Sequence, residues 1–165
     1  MTSTYFPDLV KWAKYFVDED GFSLEGLHEV EIKIVEICHH YPLPQAYKEL
    51  LMIGGRNIFY IFNSYSNVGN TYSNELMVRN KLFLKENLEA VGIYEGDEIC
   101  MASGDYNFYF FIKSTEGDNP PVYAICDGFL FRKFFAKSLT DMVDVFIKSY
   151  VLIIVLKLLD YRLYS

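Results

Sequence analysis

The sequence predicts one α+β domain, and three observations carry that prediction. The stretch Ile99–Cys126 holds β-type runs at Ile99–Ser103, Tyr106–Ile112 and Val122–Cys126, separated by Gly104-Asp105 and by Gly117-Asp118-Asn119-Pro120-Pro121, compositions that turn the backbone. Helical periodicity flanks this stretch on both sides. No repeat or linker divides the 165 residues, a length that buries roughly 70% of the unfolded chain's surface and needs no disulfide or metal staple. The expected unit is therefore 1–165, with an N-terminal helix at 6–17 and a C-terminal helix at 138–159.

Phe6, Leu9, Val10, Ala13, Phe16 and Val17 share one helix face, with Pro7 tolerated in the first turn. Glu29–His40 reads both ways: Val30, Ile32 and Ile34 alternate like a strand, whereas Val30, Ile34, Ile37, Cys38 and Tyr41 follow helical spacing. The longer helical set and the prolines of Tyr41–Pro44 favour a helix. A short helix over Gln45–Ile53 places Ala46, Leu50 and Ile53 together, and Gly54-Gly55 closes it. Asn57–Phe62 is a plausible strand, Asn63–Asn74 a polar loop, and Asn74 a cap for a helix from Glu75 to Ala90. The last helix starts at Ser138, where Ser138-Leu139-Thr140-Asp141 resembles a capping box, and its face runs Leu139, Met142, Val143, Phe146, Tyr150, Ile153, Ile154, Leu158.

Charge is unevenly placed. Residues 1–100 carry 15 acids against 8 bases, while residues 101–165 carry 7 of each. Most of the excess lies in Asp18–Glu36, where Asp18, Glu19, Asp20, Glu25, Glu29, Glu31 and Glu36 oppose only Lys33. Such a surface repels phosphate backbones, which argues against direct nucleic-acid binding and suits a basic protein partner. The C-terminal run from Met142 to Leu159 is cut by Asp144, Lys148 and Lys157, so it falls short of the ~18 apolar residues of a membrane span. It reads instead as a buried helix or an oligomer interface, leaving monomer and homodimer both open. Apolar Val151, Leu152, Val155 and Leu156 lie off its main face and require cover, by deep burial or by a homodimer contact. The odd, scattered cysteines Cys38, Cys100 and Cys126 read as reduced core thiols, and no basic-then-apolar leader is present; both point to the cytoplasm.

A search for chemistry returns no catalytic or cofactor-binding set. Cys38-His39-His40 has no companion ligands and its side chains diverge on a helix, so Cys38 is expected to be packed and the histidines to sit as cations near a helix C-terminus. Ser103-Gly104 lacks the first glycine of a nucleophile elbow, which is Met101 here. Glu95, Asp97 and Glu98 form a polar cluster expected to be solvated. Enzyme, metal and cofactor readings are therefore set aside.

The order of several motifs is distinctive. Leu43-Pro44-Gln45-Ala46-Tyr47-Lys48-Glu49-Leu50-Leu51, Gly54-Gly55, Gly104-Asp105 before Phe108–Phe111, Pro121-Val122-Tyr123 and Ala136-Lys137-Ser138-Leu139-Thr140-Asp141-Met142 together resemble the SUKH superfamily, which includes Smi/Knr-type cell-wall regulators and bacterial immunity proteins. The resemblance spans roughly Val30 to Ile147 and implies a central, mainly antiparallel sheet carrying helices. Within it Leu43 and Pro44 start a helix, Tyr47 and Leu51 pack from it, Gly104 and Asp105 turn a strand, Val122 and Tyr123 belong to a strand, and Ser138 caps the last helix. It further implies a non-catalytic protein that binds and neutralises a cognate toxin, possibly a nuclease, or else an intracellular scaffold of the same superfamily. The residues expected to meet a basic partner are Asp18, Glu19, Asp20, Glu25 and Glu29.

Overall fold

A computed structural model describes residues 3–12, 23–56, 74–90, 92–104, 108–126 and 129–163. The expected strand at 57–62, the loop at 63–73, the helix extension over 13–17, and the site residues Asp18, Glu19, Asp20 and Asp105 lie outside the described residues.

The elements are α1 (Pro7–Trp12), α2 (Glu29–His39), α3 (Gln45–Gly54), α4 (Asn74–Ala90), β1 (Glu98–Gly104), β2 (Phe108–Lys113), β3 (Val122–Cys126), β4 (Phe129–Ala136) and α5 (Leu139–Leu163). The four strands form one antiparallel sheet in the order β1-β2-β3-β4, so the three expected strands are neighbours. β4 was not anticipated. Its register against β3 slips between Val122 and Tyr123 and again between Ala124 and Cys126, and such bulges erase the strict alternation by which a strand is recognised.

The two-residue period of the strands divides the core. Ile99, Met101, Ile112 and Val122 join α1, α2, α3 and α5 in one cluster, whereas Tyr109, Phe111, Tyr123 and Ile125 face Leu84 and Leu88 of α4 in another. Helices thus cover both faces of the sheet. Phe83 stacks on Tyr109 with ring centres 4.0 Å apart, and Tyr123 donates its hydroxyl hydrogen to Glu116 at 2.9 Å.

Leu43, Pro44, Tyr47, Leu51, Val122 and Tyr123 are buried, and Gly104 pairs with Phe108 at the end of the β1–β2 hairpin. Ser138 Oγ accepts the Asp141 N–H at 3.0 Å, capping α5. Asn119 completes that cap: its Oδ1 accepts the Thr140 N–H at 3.1 Å and its Nδ2 donates to Thr140 Oγ1 at 2.9 Å. The neighbouring Asp118 carbonyl accepts the Ala46 N–H at 2.8 Å, so one loop locks the starts of α3 and α5.

Two glycines permit a close crossing rather than a left-handed turn. Gly55 has φ −57, yet a Cβ there would lie 2.5 Å from the Leu51 carbonyl oxygen, and one on Gly26 would lie 1.8 Å from that of Met52. The segment 23–28 can therefore run against the end of α3, where Leu27 N–H reaches Leu51 O at 2.8 Å and Arg56 N–H reaches Glu25 O at 2.9 Å.

Other expectations are corrected. α5 continues to Leu163, four residues past the expected end. Cys38 is exposed, while His39 is buried. Burial, with Lys81 and His40 nearby, depresses the His39 pKa to about 4, so it is a neutral core residue and not a terminal cation. Asp97 and Glu98 are buried rather than solvated.

Candidate functional site

α2 carries the acidic segment, and its geometry follows from two apolar stripes on one helix. Ile32, Val35 and His39 recur at three- and four-residue intervals and are buried, Ile32 and Val35 within the main core that α3 shares. Val30, Ile34 and Ile37 recur in the same way on the opposite side and stay 69%, 47% and 71% exposed. The helix is as expected, but its core face is the other one. Three β-branched side chains in water, in line on a rigid helix, are the residues that sequence reasoning assigned to the core and therefore missed as a surface.

Charge surrounds this stripe unevenly. Arg56, just beyond α3, lies 3.0 Å from Glu25 Oε1 through its Nε and also pairs with Glu31. Glu31 accepts the His28 N–H at 2.8 Å, and that bond, with Arg56 close by, holds its carboxyl below the usual range against the opposing effect of desolvation. For Glu36 burial pushes the pKa up, but Lys48 at 2.6 Å and the Leu43 N–H at 3.0 Å outweigh it, leaving it lowered. The acids on the α3 side are thus partly neutralised. Glu29, in the exposed first turn of α2, and Glu25, 68% exposed despite Arg56, are the described members of the expected partner surface that face solvent.

A second polar cluster lies at the sheet's edge. Lys113 is directly opposite Glu98 in the β1–β2 register; both are buried, with Nζ 3.8 Å from Glu98 Oε1 and 2.6 Å from Glu95 Oε2. Glu98 also accepts the N–H groups of Glu95 at 3.0 Å and Gly96 at 2.9 Å. Asp97 accepts both the hydroxyl and the N–H of Thr115, while its Oδ1 and Ser114 Oγ are buried with no hydrogen-bond partner among the described residues. The carboxylates are held by the ends of β1 and β2 and serve to fix that junction. Among the described residues no three His, Cys, Asp or Glu side chains gather as a metal site.

The architecture is a four-stranded antiparallel sheet between helices. The family model described as SMI1/KNR4 family (SUKH-1) matches residues 26–145, well over half of the chain. The chain belongs to this family. No curated protein matches it. SUKH membership supports an immunity protein or a Smi/Knr-type module. It covers α2 through the first two turns of α5, and leaves α1 and most of α5 outside. Among the described residues no helix is long and apolar enough to cross a membrane.

Proposed function

We propose that this protein is a non-catalytic immunity protein that binds a cognate, basic toxin domain in the cytoplasm, with the outer face of α2 as its contact surface. The observation that carries the reading is the stripe Val30, Ile34 and Ile37, left in water on a helix whose other face completes the core. Interfaces concentrate binding energy in a desolvated apolar centre and use surrounding charge to guide approach. The acids of the first hundred residues supply that charge, Glu25 and Glu29 next to the stripe and Asp18, Glu19 and Asp20 a few positions before it in sequence.

The test is co-expression with any toxin domain encoded beside this gene. Protection of the cell and a stoichiometric complex support the reading. Replacing Asp18, Glu19, Asp20 and Glu25 by Asn or Gln should slow association about tenfold, chiefly at low salt, with a smaller change in dissociation. A toxin domain that is neither bound nor neutralised would refute the immunity role.

A further inference from the structure

The family match ends at residue 145, yet α5 runs on unbroken to Leu163. Its inner face is spoken for: Leu139, Met142, Val143 and Ile147 are buried in the main core. On the outer face Val145, Ser149 and Leu152 are exposed. Sequence spacing continues that line through positions 156, 159 and 163, all leucine, so the intervals from 145 run four, three, four, three, four. Alternating four- and three-residue intervals keep these positions on one side of the helix, the spacing by which one helix can seat its side chains between those of another.

We propose that two copies of this chain form a two-fold dimer in which the outer faces of their α5 helices pair antiparallel. The occupant of the seam is a helix with the same repeat, and charge selects a second copy in reverse. Asp141 and Asp144 lie near the start of the seam and Lys157, Asp160 and Arg162 near its end, two negative charges against a net single positive one, so reversal brings the acidic end of one helix toward the basic end of the other. A register with position 145 opposite 156 and 149 opposite 152 sets position 162 beside Asp141. It also carries position 159 over a groove of about 580 Å³ between the end of β4 and α5, lined by Phe135, Met142, Val145, Asp141 and Lys148. Phe135 at that groove and Val145 and Leu152 along the helix are three exposed large apolar side chains, and one partner helix covers all of them. The paired length, 145 to 163, is about 27 Å at 1.5 Å per residue.

Light scattering on the full chain should give twice 19.3 kDa, and Leu152→Glu should return it to the monomer mass without lowering its melting temperature by more than a few degrees, because Leu152 is exposed. With the exposed Cys38 replaced by Ser, Val145→Cys combined with Leu156→Cys should give a covalent dimer on mild oxidation, while Val145→Cys alone should not. A parent chain that remains monomeric at tens of micromolar, or a dimer that Leu152→Glu leaves intact, overturns the proposal. Cross-linking by Val145→Cys alone overturns the antiparallel arrangement.

Discussion

Two regions of this molecule invert the usual distribution of side chains. At the β1–β2 junction Lys113 and Glu98 are buried, whereas on α2 Val30, Ile34 and Ile37 stand in water. What separates them is partnership. The buried charges have one another and two backbone N–H groups, so burial leaves them satisfied; the exposed apolar residues have a helix whose only route to the core is already filled by Ile32 and Val35. The first region therefore fixes the fold, and the second is free to bind.

Removing a partner from the buried pair should have the largest effect. Lys113→Met removes the cation that the buried Glu98 and the neighbouring Glu95 share, and should cost about 3–5 kcal/mol, or roughly 10 °C in melting temperature. Replacing Glu98 by Leu in the same chain should restore much of that loss, because two apolar residues need no mutual charge. Loss equal to the sum of the two single changes would show that the pair does not act as a unit.

The next effect is pH-dependent. His39 is neutral in the folded state with a pKa of about 4, while the unfolded chain takes up its proton near the ordinary histidine value of 6.5. Unfolding therefore binds a proton between these values, so the contribution is complete above pH 6.5 and is lost as pH falls toward 4, by about 3 kcal/mol in all. Glu31, Glu36 and Glu49, whose pKa values are lowered from 4.5, add to the loss only at the acid end of that window. Denaturant titrations at pH 7 and pH 5 should differ for the parent, and the difference should shrink for His39→Leu.

A smaller loss is expected where the backbone crosses itself. Gly26→Ala forces a Cβ into the Met52 carbonyl and should cost about 1–3 kcal/mol, read as a lower denaturation midpoint with unchanged slope.

The same contrast explains what the sequence made legible. Val122–Cys126 is legible to the residue, because proline before it and alternation within it leave no competing pattern. Phe129–Ala136 is not, because two bulges break its period. For α2 the element is legible and its orientation is not: both faces are apolar, and the choice between them is made by contact with α3, a tertiary fact that periodicity cannot encode. Glu98 looked solvated because its partner Lys113 lies fifteen residues away and meets it only through strand register. For the partner surface, the acids were visible as composition, but the pairing of Glu25 and Glu31 with Arg56 and the exposure of the apolar stripe appear only in three dimensions.

The smallest expected effect on stability is also the most direct test of the central claim, that α2's outer face binds rather than folds. Val30→Ser, Ile34→Ser and Ile37→Ser together should change unfolding free energy by no more than about 0.5 kcal/mol per site. The same variant should lose at least a hundredfold in affinity for the proposed toxin partner, mainly through faster dissociation, as expected for the apolar centre of an interface. A variant that unfolds early would place the stripe in the fold. A variant that binds as tightly as the parent would contradict the assignment of α2 as the contact surface.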